Sequence, residues 1–96
     1  MMESELERYL KKQVEALDGL CIKMESITRG IPDRVVIIGG HTYWIELKRE
    51  GGKLSEAQKL RISQFKERGV EVFVLRGKEE VYQFCYMLIK NKSWNL

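Results

Sequence analysis

Asp33, Glu46 and Lys48 are the residues whose types and spacing point most directly to chemistry. Strands send alternate side chains to opposite faces. In Thr42–Lys48, Trp44, Glu46 and Lys48 therefore share one face, and Tyr43, Ile45 and Leu47 share the other. Asp33 stands at the entry to the preceding strand, and the Gly39-Gly40 pair between the two strands is a hairpin signal. A hairpin places the start of one strand opposite the end of the next, so Asp33 lands near Glu46 and Lys48. Two carboxylates beside an ammonium suit a divalent metal, because hard cations such as Mg2+ take oxygen ligands, usually one or two carboxylates with phosphate and water. A cation so held polarises a phosphoryl oxygen and lowers the pKa of a bound water. An adjacent Lys orients or helps deprotonate the attacking water, or stabilises charge developing on the phosphate.

Each piece alone has an ordinary structural account. With 12 Glu and 10 Lys in 96 residues, a Glu-x-Lys triplet is expected about once under random placement, too often to signify by itself. Pro32-Asp33 is an ordinary turn dipeptide. Glu46 and Lys48 together read equally well as a surface ion pair on a sheet. Only the ordered combination is specific.

The elements that must position these residues follow from hydrophobic period and turn chemistry. Leu6, Leu10, Val14 and Leu17 lie at helical spacing in a first helix, about Glu3 to Leu17, which Asp18-Gly19 ends with Gly in the left-handed position. Leu20 to Glu25 alternates as a half-buried strand, and Thr28 to Pro32 is a loop. Arg34–Ile38 and Thr42–Lys48 are the hairpin strands, followed by the flexible Glu50-Gly51-Gly52-Lys53 connection. Ser55 and Gln58 form a capping box that opens a helix running to Arg68, closed by Gly69. Val70–Leu75 is a strand, Arg76-Gly77 a turn, and Lys78–Lys90 a last helix with an apolar stripe of Val81, Phe84, Cys85, Leu88 and Ile89. Three strands on short loops make an antiparallel meander. The fourth, reached across a helix, joins parallel by a crossover. The expectation is an α/β fold with a mixed four-stranded sheet flanked by helices, forming a single domain over residues 1–96.

Composition bounds the rest. A chain of 96 residues that is 44% hydrophobic and 32% charged is globular, with room for one domain and a thin core. Oligomerisation would offset that thin core. The net charge of +3 does not by itself separate a nucleic-acid binder from any other protein. It is unevenly spread, however: residues 1–18 hold five acids and three bases, whereas 19–96 hold nine acids and 14 bases. Cys21 and Cys85 form neither a disulfide framework nor a zinc motif, and Cys85 reads as a small buried hydrophobe. The longest purely apolar run, Val35–Ile38, is far too short to cross a membrane. Glu3, Glu5 and Glu7 occupy positions where a signal peptide carries positive charge. The expectation is a cytoplasmic protein with no membrane association and no organic cofactor.

Pro-Asp, a hairpin of about a dozen residues and Glu-Leu-Lys at a strand end together resemble the PD-(D/E)XK nuclease superfamily. More specifically, Arg29-Gly30-Ile31-Pro32-Asp33-Arg34, Trp44-Ile45-Glu46-Leu47-Lys48 and Gly51-Gly52-Lys53-Leu54-Ser55-Glu56-Ala57-Gln58-Lys59 look like a VRR-NUC domain, the virus-type replication-repair nuclease. The resemblance implies a restriction-endonuclease-like αβββαβ core plus a C-terminal helix. It also implies an Mg2+- or Mn2+-dependent endodeoxyribonuclease. Asp33 and Glu46 would be the metal carboxylates, the Leu47 main-chain carbonyl a further ligand, and Lys48 the catalytic lysine. The family also uses a Glu of the first helix. Glu3 falls on the side of Leu6, Leu10 and Gln13 and is preferred, with Glu5 second, although all three N-terminal acids suit the helix dipole in any case. Gln58 matches the family's Gln just after Leu-Ser and heads the stripe Gln58, Ile62 and Phe65. Its capping role competes with a role at the site.

Arg29, Arg34, Arg49, Lys53 and Lys59 surround the site in sequence and could meet phosphates, against the default of solvated surface charge. His41, at the hairpin tip, reads as a surface turn residue rather than a base. Tyr82, Tyr86, Met87 and Trp94 exceed what one thin core needs and suit a subunit interface better than base stacking. Standalone domains of this size resemble phage enzymes that act as homodimers on branched DNA such as Holliday junctions. The competing expectations are a flap, nicking or restriction-like nuclease, and a catalytically idle nucleic-acid-binding module.

Overall fold

The structure, a computed structural model, describes residues 2–94, with side chains through Asn91. Its elements run α1 (Glu3–Ala16), β1 (Leu20–Lys23), β2 (Arg34–Ile38), β3 (His41–Lys48), α2 (Glu56–Glu67), β4 (Val72–Arg76) and α3 (Gly77–Trp94). The strands form one sheet in the order β1-β2-β3-β4. The first three pair antiparallel, and β4 joins β3 in parallel. This is the expected mixed sheet with its crossover helix and C-terminal helix.

The two faces of the sheet have different work. Cys21, Val36, Tyr43, Ile45, Leu47, Phe73 and Leu75 meet α1 and α3 on one face, where Leu6, Leu10, Val14, Val81, Phe84, Cys85 and Leu88 complete the core. Within it Tyr43, Phe73 and Phe84 make mutual edge-to-face contacts at 5.3 to 5.8 Å. Tyr82 packs edge-on against Tyr9 at 4.9 Å and Met87 lies against the core, so two of the four residues expected to be surplus are used in packing α3. Tyr86 is exposed, and the side chain of Trp94 lies outside the described residues. Ile89, expected in the buried stripe, is instead substantially exposed. The other face carries Trp44, Glu46 and Lys48 and is covered only in part by α2, whose Phe65 meets Trp44 edge-on at 5.3 Å. No described residue of α2 is fully buried.

Element ends depart from expectation for identifiable reasons. The left-handed stop of α1 is Asp18 (φ 63°), not Gly19. Gly19 and Asp18 donate to the carbonyls of Val14 and Glu15, a Schellman closure. Gly19 serves packing instead, since a Cβ there would lie 2.8 Å from Val14 Cγ1. β1 stops at Lys23, although the Met24 N–H still bonds the Asp33 carbonyl at 2.8 Å. β4 begins at Val72 because the Val70 N–H closes α2 on the Phe65 carbonyl at 2.9 Å. Gly39 and Gly40 both have positive φ (57° and 80°), as a two-residue hairpin turn demands, and His41 is an exposed strand residue opposite Ile38. Among the described residues no helix is long and apolar enough to cross a membrane.

Candidate active site

The β2–β3 register pairs Arg34 with Ile45. One step further along the same register, Asp33 faces Glu46. Two main-chain contacts fix the acids there. The Leu47 N–H donates to Asp33 Oδ1 at 3.2 Å, and the Asp33 N–H donates to the Glu46 carboxylate. Asp33 itself is held at its carbonyl by Met24, the residue just after β1. The Leu47 side chain is fully buried on the opposite face, so at this position only its main chain borders the acid pair.

Lys48 Nζ lies 4.0 Å from Glu46 Oε2, with its side chain 18% exposed against 5% for Glu46. Burial, and secondarily the Asp33 charge opposite it, push the Glu46 pKa up to about 7, an effect Lys48 only partly offsets. Burial also raises Asp33, against the opposing pull of the Leu47 N–H and Arg34. A buried Glu46 carboxylate held opposite a half-buried Asp33 is an unfavourable arrangement without a cation between them.

The Gln58 side chain makes both the capping contact and a contact to the acid pair. Its Oε1 accepts from the Ser55 N–H at 2.8 Å and completes the capping box, in which Ser55 Oγ accepts from the Gln58 N–H at 3.1 Å. Its Nε2 donates to Glu46 Oε2 at 3.2 Å. The two ends of one amide thus join the start of α2 to the acid pair. The loop before Asp33 is pressed against the same helix. Gly30 has φ +82°, and a Cβ there would stand 2.2 Å from the Ala57 carbonyl oxygen.

The first-helix acids separate by partner. Glu5 Oε1 accepts from the Met2 N–H at 3.2 Å and caps α1, and Glu7 pairs with Arg34 at 2.6 Å. Glu3 contributes its negative charge at both Asp33 and Glu46. Of the bases expected around the site, Arg29, Arg49, Lys53 and Lys59 are exposed, and Lys59 pairs with Glu56 at 3.3 Å. Arg34 is different. It is buried on the α1 side of the sheet, bonded to Glu7 and, through Nη1, to the Asp33 carbonyl at 2.8 Å. Strand alternation carried that signal, since Asp33 and Arg34 are consecutive and must face opposite ways. Glu7, the acid that neutralises Arg34, was not singled out beyond the helix-dipole group, although its one-turn spacing from Glu3 and its place beside Leu6 put it toward the sheet.

Among the described residues no cluster of three or more His, Cys, Asp and Glu side chains is arranged to hold a metal. The donor set of a half-buried Asp33 and a buried Glu46 fits a hard divalent cation that keeps water and substrate oxygens in its remaining positions.

The fold is that of a nuclease domain. The VRR-NUC domain family model matches residues 2–79, and the chain belongs to that family. A solved structure described as a VRR-NUC domain is 32% identical, with a TM-score of 0.76, covering 84% of this chain and 90% of the other. A second, a VRR-NUC domain protein, has a TM-score of 0.73 at 20% identity, covers 94% of this chain and 89% of the other, and shows the fold alone. No curated protein matches the chain. Membership makes the protein a nuclease of the PD-(D/E)XK type, a hydrolase acting on DNA, in a family that generally uses a divalent metal.

Proposed function

We propose that the protein is an Mg2+- or Mn2+-dependent endonuclease in which Asp33 and Glu46, with the Leu47 carbonyl, hold the cation and Lys48 serves the reacting phosphate. The observation that carries this reading is the cross-strand opposition of Asp33 and Glu46 with Lys48 Nζ 4.0 Å from Glu46 Oε2. A bound divalent cation supplies Lewis-acid polarisation of a phosphoryl oxygen and a more acidic water. The chain's own residues do the remaining work. The Leu47 and Asp33 main-chain N–H groups fix the two carboxylates, and Gln58 aims Glu46 by donating to its Oε2. The Lys48 ammonium, at the rim of the site, orients the attacking water and balances charge on the phosphate. Glu3 adds negative charge at the same point and completes the catalytic set.

The reading extends to a homodimer acting on branched DNA. Leu20 and Ile37, directly paired across β1 and β2, and Ile22 leave an apolar strip exposed on the sheet. A two-fold pair of sites suits a four-way junction, which is itself close to symmetric. We place the protein in the cytoplasm, where a reducing environment keeps Cys21 and Cys85 as thiols.

Protein incubated with Mg2+ or Mn2+ on four-way junction, flap and linear DNA should cut the junction best, and Asp33→Ala and Lys48→Ala should abolish cutting while folding normally. Cleavage that persists in Asp33→Ala, or binding without cleavage in either metal, defeats the assignment. A monomeric mass in light scattering at working concentration defeats the dimer alone.

A further inference from the structure

On the α1 side of the sheet, beside the acid pair, lies a groove of about 370 Å³ lined by Ser4, Glu7, Arg8, Lys11, Cys21, Lys23 and Arg34. Ser4, Glu7, Arg8 and Lys11 lie at i, i+3, i+4 and i+7, so they present one face of α1 to it. The opposite wall is the paired ends of β1 and β2. Its four cations, Arg8, Lys11, Lys23 and Arg34, outnumber its one acid, Glu7, leaving a surplus of three positive charges. Lys23 and Arg34 are direct cross-strand partners. Like charges in that position destabilise a sheet, and Glu7 answers only Arg34, at 2.6 Å. The remaining three cations are exposed and share one wall-to-wall space.

The groove is not remote from the chemistry. Arg34 follows Asp33 directly in the chain and bonds its carbonyl at 2.8 Å. Arg34 thus joins the groove lining to the main chain of the acid pair, at the end of β2. None of Arg8, Lys11 and Lys23 belongs to the base-rich sequence around the motif. They come together only because α1 packs across β1.

We propose that this groove holds the backbone phosphates flanking the reacting one, with Arg8, Lys11 and Lys23 as the phosphate-binding residues and the Glu7–Arg34 pair as the rigid link between groove and acid pair. The proposal rests on the nuclease reading for which phosphate is cut, but not for the binding itself. Phosphate neutralisation releases counterions, so each contact contributes about 0.9 to the slope of log K against log salt on duplex DNA.

The test measures binding of fluorescein-labelled duplex and four-way junction by anisotropy, in EDTA, over a range of NaCl concentrations. It compares the parent, R8Q/K11Q/K23Q, and K66Q/R68Q/K78Q, which removes the same charge from the β4 side of the sheet. The groove variant should flatten the slope by about 2 to 3, with the control variant unchanged, and should raise KM for cleavage in Mn2+. Equal flattening in both variants, or none in either, overturns the groove. A parent that cuts DNA while the groove variant keeps the parental slope overturns the groove and leaves the nuclease standing. A parent that cuts nothing in Mg2+ or Mn2+ but loses slope in the groove variant does the reverse. A parent that fails to bind DNA at all overturns both. Circular dichroism melts of the three proteins establish that each is folded.

Discussion

Replacing Glu46 by Gln should stabilise the metal-free protein at alkaline pH and do nothing for it in acid. The Glu46 carboxyl has an ordinary pKa of 4.5 and is raised to about 7 in the fold. Below pH 4.5 it is protonated whether the chain is folded or not, and no penalty exists. Between 4.5 and 7 the folded chain holds a proton that the unfolded chain has released, so stability falls as pH rises. Above 7 both states are ionised and the whole penalty is present. At 1.36 kcal/mol per pH unit it amounts to about 3 kcal/mol. Gln is of the same size, and its carbonyl oxygen still accepts the Gln58 hydrogen. The variant should therefore gain up to about 3 kcal/mol at pH 8 and close to nothing at pH 4.5. Even 1 kcal/mol moves the Tm of a chain this long by about 4–8 °C. Urea denaturation in EDTA at several pH values, followed by circular dichroism, measures the gap directly. A variant no more stable than the parent at pH 8, or a gap that does not widen with pH, would refute the claim that burial and Asp33 strain this carboxylate.

Three further outcomes follow from the packing around the site. Gly30→Ala places a methyl group against the Ala57 carbonyl at a positive φ, and should cost at least about 2 kcal/mol in urea denaturation while reducing cleavage, because α2 and Gln58 are displaced from Glu46. Leu10→Ala, at a fully buried position of α1, should cost about 2–5 kcal/mol and lower Tm without altering metal dependence. Glu7→Ala leaves the buried Arg34 guanidinium with only the Asp33 carbonyl; a loss of about 1–2 kcal/mol is expected, Glu7 being part-exposed, and an unchanged melt would show that the pair contributes nothing.

The residues that were legible in the sequence are those governed by local rules. Gly39-Gly40 fixes a two-residue turn, the turn fixes the β2–β3 register, and the register brings Asp33 to Glu46 across 13 positions. Leu6, Leu10 and Val14 announce a buried helix face in the same way. What was not legible depends on which side of the sheet an element finally covers. Arg34 was grouped with the bases around the motif by proximity in sequence, whereas the pleat turns it away from Asp33 and toward Glu7. Arg8, Lys11 and Lys23 carry no local signal at all, since only the packing of α1 over β1 gathers them. Asp18 takes the left-handed position expected of Gly19 because a short polar side chain tolerates that region, while no side chain tolerates the space beside Val14 that Gly19 occupies. Gln58 looked overcommitted only while its amide was treated as one group. Oxygen and nitrogen have separate partners.

That divided amide gives the first turn of α2 a sensitivity the rest of the helix lacks. Fraying of the turn must release Glu46 as well as Ser55, so the free energy of local opening there includes a hydrogen bond to a carboxylate. Such bonds are roughly twice as strong when the acceptor is ionised. The turn is accordingly held more tightly when Glu46 has lost its proton and loosens when the proton returns. Exchange of the Gln58 amide hydrogen, which is bonded to Ser55 within that same turn, thereby becomes a readout of charge at the acid pair from a position outside it.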